Sequence, residues 1–405
     1  MIGKKKMDTK ETVEDLLRRT TYRKIDIEKF LDPQRTTWSR FDPELGYVLV
    51  DCLQRDGVDG SLTQYSYEPG GHRKMVHYAD QPCRLNTYGN SFTQCHQVSD
   101  GETWQEQLAA HLREPIRNYG VGGWSVYAAY LQARRVEEGD CGAEYVILNI
   151  FDDDHTRNLD ATRWIRCRAD VVLPDEPQPI NGTPWSHLRY DLDKGHFVKR
   201  PGLCTDGDDL RALCDPKNFY EAFKDDTIVK LFVLGRGGDV DNIGELEALA
   251  EAFEITVDLR DPAKRRHEAM RLHFEYGFRS SQFILEEMRP WLEGLGKKLM
   301  VVLSYGGRFV KEEVAGVERF DQRFLDYLKR ANYLYFDSMP AILDDYKLYN
   351  LSLDDYLRQL HIPPSEAAVW SHYNPIANHK FAFWIKDVIV NWLDPKPPAY
   401  RWPTT

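Results

Sequence analysis

Seven residues, Tyr145 to Phe151 (YVILNIF), constrain the fold of this chain more than any other stretch. The run is apolar throughout except for Asn149, and it ends in Asp152, Asp153 and Asp154, followed by His155. A strand with one solvated face alternates polar and apolar residues. One that is apolar at successive positions is buried on both faces, as in the middle of a parallel sheet covered by helices. Parallel neighbours also need crossover connections, so helices must lie between the strands. Lys298 to Ser304 (KLMVVLS) reads as a second buried strand, followed by a helix near 318–331 and a last strand, Tyr333 to Asp337. Upstream, Cys83 to Tyr88 reads as a short strand that stops at Gly89, and Pro115 to Asn118 as another. Helices are expected from Gly101 to Pro115, with Trp104, Leu108 and Leu112 on one face, and from Ser125 to Arg135. The final helix starts just after Asn374-Pro375, with proline at a favourable early position.

Two segments do not fit the alternation. Between Leu45 and Tyr78, GYVLVD and LTQYSYE alternate in polarity around Asp56-Gly57 and Asp59-Gly60, which are hairpin signals. A β-rich amino-terminal extension is expected there, and Tyr65, Tyr67 and Tyr78 serve either cross-strand packing or a substrate cleft. From Asp170 to Gly207 the chain is rich in Pro and Gly, with one hairpin pattern (HLRYDLDKGHFVKR); 208–296 reads as helical, including a long helix from about Asp261 to Glu293. The expected partition is an extension over 1–82, a core over 83–169 and 297–395, an insertion over 170–296 and a tail over 396–405. The insertion is a lid, an oligomer surface or plain scaffold. The fold class that follows is α/β: a flavodoxin-like three-layer α/β/α core with a central parallel sheet, an amino-terminal β extension and a helical insertion.

Composition narrows the function classes. The formal net charge of −11 opposes a phosphate backbone, and no basic stripe with interleaved aromatics offsets it, so nucleic acid is not an expected partner. No apolar run approaches the roughly 18 residues a membrane helix requires, and Met1 to Leu17 carries lysines but no apolar segment of a secretory signal. The seven cysteines are widely spaced and form no CxxC pair, which argues against a disulfide framework or structural zinc. A cytoplasmic protein with reduced thiols is the expectation. The oligomeric state is not legible.

The candidate chemistry begins at Gly89-Asn90-Ser91. A serine just past a strand end sits at the carboxyl edge of the sheet, where open α/β sheets bind ligands, although Gly-x-Ser is common and a turn serine can simply cap a helix. Three later blocks follow it: NYGVGGWS from Asn118, YVILNIFDDDH from Tyr145 and SHYNPIANH from Ser371. In that order the chain resembles the SGNH (GDSL-like) hydrolase superfamily over roughly 83–158 and 297–393. Gly89-Asn90-Ser91 matches the serine block, with Asn90 where Asp is usual; Gly123 matches the glycine block; His372-Tyr373-Asn374-Pro375 matches the histidine block. The third block, usually Asn-Asp, reads Asp152-Asp153-Asp154. Val369 and Trp370 occupy the positions where an acid normally precedes the histidine.

The resemblance implies a serine-dependent ester hydrolase without cofactor or metal, acting on a small-molecule or carbohydrate O-acyl ester. Ser91 would be the nucleophile and His372 the base, with His155 a second candidate for base and His379 a packed helix residue. The Ser91 N–H and Gly123 would stabilise the oxyanion, and Asp153 falls where the family has its asparagine. A carboxylate about 4 Å from an oxyanion costs roughly 4 kcal/mol at an effective dielectric near 20, so Asp153 is expected to turn away, toward a group such as Arg157. The imidazole would be oriented by a backbone carbonyl, by Glu366 or by Asp154. Trp124, Trp164, Trp185 and Trp370 are either a sugar-stacking set or core. Three alternatives stay open: an acyltransferase using the same serine, a metal-dependent phosphoesterase at Asp152–His155, and a silent carbohydrate-binding protein.

Overall fold

The computed structural model describes residues 10–34, 37–363 and 371–398. By contact density the chain falls into two compact units, one made of Met1–Val48 and Thr156–Ser281, the other of Leu49–His155 and Gln282–Thr405. The first cut falls at the end of the strand Gly46–Leu49, before its last residue, and the last falls inside the helix Arg265–Gly294. Most of the 170–296 stretch therefore groups with the first 48 residues.

The second unit is built on a five-stranded, all-parallel sheet. Taken across the sheet, its strands are Ile116–Asn118, Leu85–Tyr88, Tyr145–Phe151, Lys298–Ser304 and Tyr335–Asp337. Numbered along the chain, that is the order 2-1-3-4-5, the flavodoxin-like arrangement with its switch point between the first and third strands. Helices flank the sheet in a three-layer α/β/α architecture. Tyr145–Phe151 pairs along its whole length with Lys298–Ser304 and, through Tyr145 to Leu148, with Leu85–Tyr88. Tyr145, Val146, Ile147 and Leu148 are completely buried, as a strand covered on both faces requires. The polar exception, Asn149, accepts a hydrogen bond through Oδ1 from Ser304 Oγ at 2.9 Å on the neighbouring strand.

The pairing leaves the ends of adjacent strands at different heights. Leu85–Tyr88 stops opposite Leu148, three positions before the central strand ends. There the chain turns through Gly89, where a Cβ would lie 2.5 Å from the carbonyl oxygen of Asn149 and would also collide with Thr93 Oγ1. Only glycine fits so close to the central strand. The short helix Ser91–Gln94 follows at once. In the stretch expected to be β-rich, Cys52–Gln54 pairs antiparallel with Thr63–Tyr65, and Ser39–Asp42 and Gly46–Leu49 form a separate two-stranded sheet that groups almost wholly with the first unit.

The first unit contains the hairpin His187–Asp191/His196–Arg200 and a set of helices between Gly207 and Ala252. Its core includes Trp164 and Trp185, both fully buried. Their indole N–H groups donate to the carbonyls of Thr20 (2.8 Å) and Asp160 (2.6 Å). Trp124, in the other unit, is also buried. These three tryptophans are packing residues rather than stacking platforms, and Trp370 lies outside the described residues. The seven cysteines form no disulfide, and among the described residues no helix is long and apolar enough to cross a membrane.

Candidate active site at the carboxyl edge of the sheet

Asn90 is the N-cap of the Ser91–Gln94 helix, and it also ties together the two strand ends at the switch point. Its Oδ1 accepts from Phe92 N at 2.8 Å, and its Nδ2 donates to Asp154 Oδ1 at 2.8 Å. The other oxygen of Asp154 accepts from Phe151 N at 2.9 Å. The amide at 90 and the carboxylate at 154 are thus complementary, and Asp154 is spent on joining the first and third strand ends. Ser91 is the first residue of the helix and 8% exposed. Its N–H has no intrahelical partner, as at every helix start.

After Gln94 the chain takes a path that few residues adopt. Cys95 (φ 58°) and Gln97 (φ 73°) both stand in the left-handed region without being glycine. A buried arginine holds this turn. Arg73 donates to the carbonyls of Gln94 (2.7 Å) and Cys95 (3.0 Å), to Val98 O, and through Nε to Asp100 Oδ1 at 2.8 Å. Tyr65 OH accepts from Gln97 N at 2.7 Å, and Gln94 Nε2 donates to Tyr67 OH at 3.0 Å. Tyr65 and Tyr67 of the amino-terminal extension therefore act as struts for the serine turn.

The strained turn brings Gln97 against His372. Gln97 Oε1 accepts from His372 N at 3.1 Å and lies 2.9 Å from His372 Nδ1, while Gln97 Nε2 donates to the Asp56 carbonyl at 2.9 Å. A backbone N–H can only donate and a backbone C=O can only accept, so the two ends of the amide are assigned without ambiguity. Nδ1 of His372 must then carry the proton, which leaves Nε2 as the basic nitrogen. Glu366, one of the expected orienting acids, lies outside the described residues, and Asp154 is engaged with Asn90. A side-chain amide oxygen stands where a carboxylate or backbone carbonyl was expected. The His372 ring sits 5.2 Å from that of Phe92, the residue after Ser91, and Tyr373 packs edge-on to Phe92 at 4.9 Å. Asn374 caps the helix Pro375–Trp392 by accepting from Ala377 N at 2.9 Å, which anchors the histidine loop from behind.

A second histidine, marked by no sequence motif, completes the cluster. His96 stacks on His372 with ring centroids 5.1 Å apart, and its Nε2 lies 3.1 Å from Asp56 Oδ2. Asp56 is buried and also accepts from Thr63 Oγ1 and from Tyr65 OH at 2.9 Å. Burial alone would raise the Asp56 carboxyl, but the hydrogen bond and charge of His96, with the two hydroxyl donors, bring it below the usual carboxylate range. Gly122 closes the group. A Cβ built on it would lie 3.6 Å from Ser91 Cβ and 3.5 Å from His96 Nδ1, so the serine and this imidazole flank one point. Gly122 N donates to Gln94 Oε1 at 2.7 Å, and Gly123 follows in a left-handed turn (φ 86°).

The acidic run after the central strand disperses. Asp152 accepts from Gly306 N at 2.9 Å and from Asp153 N at 2.7 Å, and Asp153 is half-buried in the turn. His155 is buried edge-on to Phe324 at 4.6 Å, and burial drives its pKa down to about 3 against a small opposing effect of Asp153. So weak a base is poorly matched to proton abstraction near neutral pH. His379 lies in the Pro375–Trp392 helix, 3.3 Å from Gln107 Oε1. Among the described residues no group of three His, Cys, Asp or Glu could hold a metal ion.

No protein-family model matches this sequence, and none of the curated proteins does. Among solved structures, one match is the crystal structure of a member of the lipolytic protein G-D-S-L family from Veillonella parvula DSM 2008. It is 10% identical, the match covers 76% of this chain and 98% of that chain, and the TM-score is 0.31. The neighbour marks a distant resemblance at most.

Proposed function

We propose that the protein is a serine-dependent ester hydrolase working through an acyl-serine intermediate, with Ser91 as nucleophile and His372 as general base. The observation that carries this reading is the Gln97 clamp, which places Nδ1 of His372 on an amide oxygen and so makes Nε2 the nitrogen that can accept a proton, beside the serine turn. The proton of Ser91 Oγ passes to Nε2 as Oγ bonds to the acyl carbon and the carbonyl π pair moves onto oxygen. When the oxyanion collapses, the bond to the leaving alcohol breaks and the alkoxide takes the proton from Nε2. Water repeats the sequence on the acyl-serine and releases the acid. The N–H groups of Ser91 and Gly123 are the proposed backbone donors to the oxyanion. Asp153 takes no part as a donor in this scheme.

The same serine supports an acyltransferase, distinguished by an ester product when a second alcohol is supplied. A metal-dependent phosphoesterase draws little support, because Asp152 and Asp154 are bound to backbone amides and Asn90. Hydrolysis of p-nitrophenyl acetate by the wild type, Ser91→Ala and His372→Ala tests the reading. Each variant is expected to lose about a thousandfold or more in kcat/KM, with EDTA leaving the wild type unaffected. A fully active Ser91→Ala, or a rate abolished by EDTA, would contradict it.

A further inference from the structure

The turn that leads into the central strand carries a thiol beside an imidazole. Cys141 is half-buried there, and its carbonyl accepts from Asn86 Nδ2 at 2.9 Å and from Arg117 Nη1 at 3.2 Å. A Cβ built on Gly70 would lie 2.9 Å from Cys141 Sγ and 3.2 Å from His72 Nδ1, so thiol and imidazole border one space that glycine leaves open. His72 is 6% exposed, and among the described residues its buried Nδ1 has no hydrogen-bond partner. Tyr119 stands edge-on to the His72 ring at 5.4 Å and stacks on Tyr88 at 5.0 Å. Its hydroxyl is turned to the Cys141 sulfur: burial first, then that sulfur, pushes the phenol pKa up, as a phenol that donates its proton requires. Burial and the charge of Arg117 lower His72 to about 4, so the ring is neutral near pH 7 and keeps one lone-pair nitrogen. With the hydroxyl donating to the sulfur, the thiol proton is the one available to Nδ1.

We propose that Cys141 is a modification site, a reactive thiol with His72 as its base, and that it takes small hydroperoxides. The proposal does not rest on the ester-hydrolase reading. The thiolate, not the thiol, is the nucleophile, so it needs a place for its proton and donors for its charge. His72 Nδ1 takes the proton, and the ion pair so formed offsets part of the burial that weakens this imidazole as a base. The Tyr119 hydroxyl donates to the sulfur, and the Arg117 guanidinium, held on the Cys141 carbonyl, adds a positive charge. The sulfur pair attacks the terminal peroxide oxygen and the O–O bond breaks. The leaving alkoxide takes the proton from His72, so that Cys–SH and ROOH give Cys–SOH and ROH; sulfur is oxidised as the peroxide is reduced. The class of electrophile follows from the surroundings. A hydroperoxide leaves as an oxyanion, which suits a site with the Arg117 cation beside it and the Arg117 Nε buried without a partner. Elsewhere, burial raises the thiols of Cys52, Cys83, Cys95, Cys204 and Cys214 and so keeps them protonated.

The test exposes the reduced full chain to hydrogen peroxide with dimedone present and maps the sulfenic-acid adducts by mass spectrometry. Cys141 is expected to gain its adduct about tenfold or more faster than any other cysteine of the chain. His72→Gln, which keeps a polar side chain but no base, is expected to slow that adduct about tenfold or more, and Tyr119→Phe about three- to tenfold. In urea, where the folded surroundings are gone, all the thiols should react at similar rates. Cys141 reacting no faster than Cys167 overturns the proposal, as does His72→Gln within about twofold of the wild type. A preference for Cys141 that persists in urea overturns it too, because local sequence alone would then account for it. Should His72→Gln not fold, Tyr119→Phe takes its place, and a rate within about twofold of the wild type there overturns the pairing. Rapid alkylation of Cys141 by iodoacetamide with no dimedone adduct after peroxide overturns the choice of hydroperoxide.

Discussion

Replacing Gln97 by methionine removes the clamp on His372 while keeping side-chain length. Gln97 is 1% exposed, so its partners cannot all turn to bulk water. Three groups lose a mate: the His372 N–H, the His372 Nδ1–H and the Asp56 carbonyl. An unsatisfied buried polar group costs about 1–3 kcal/mol, and with partial relief at the site edge the expected loss of stability is about 3 kcal/mol in total. The catalytic cost is separate. An orienting carboxylate is worth about ten-thousandfold in the serine protease template, but a neutral amide supplies orientation and tautomer control without the charge. Losing one orienting hydrogen bond of about 1.5–3 kcal/mol lowers kcat about ten- to a hundredfold and leaves KM nearly unchanged. Urea unfolding gives the first number, and steady-state hydrolysis of p-nitrophenyl acetate at saturating and limiting substrate gives the second. A variant that is folded and within about twofold of wild-type kcat would refute the clamp.

Three further outcomes follow from the geometry. Arg73→Met removes the guanidinium from four carbonyls and takes the cation from the buried Asp100 carboxylate, leaving it Ser66 N, so it should cost about 3–5 kcal/mol in urea unfolding and loosen the serine turn; a stability change under about 1 kcal/mol would contradict that role. Asp153→Asn should leave kcat/KM within about threefold, because the scheme draws no donor from that position; a large gain would show that a carboxylate there opposes the oxyanion. His155 stays unprotonated in the fold down to about 3, against 6.5 for an ordinary imidazole. The unfolded chain therefore binds the extra proton between those values, and stability falls as pH drops through that window. At pH 5 the contribution is about 2 kcal/mol, so the difference in unfolding free energy between pH 7.5 and pH 5 should shrink by about that much in His155→Phe, and an unchanged difference would contradict it.

The sheet was legible because its signal is continuous. Tyr145–Phe151 and Lys298–Ser304 have the bounds their apolar runs predict, and the Pro375–Trp392 helix begins at the proline that marks it. The helices Gly307–Val314, Ser338–Tyr346 and Leu353–Leu360 carry only a short periodic signal, since each spans only two or three turns and is interrupted by polar residues. Within the site, Ser91 and His372 were visible through short motifs at strand and helix ends. His96 and Gln97 were not. They stand in a left-handed turn that no local propensity favours, held by Arg73 from another segment, and their roles come from partners 40 and 275 residues away. Asp56 shows in the sequence only as half of a hairpin signal, because nothing in Asp-Gly tells a turn aspartate from one that faces an imidazole.

The most direct measurement is peptide mapping by mass spectrometry after exposure to a fluorophosphonate. The account predicts a single adduct on Ser91 in the wild type, formed about a hundredfold or more slowly in His372→Ala. An adduct on another residue, or labelling of Ser91 at the same rate without His372, would contradict it.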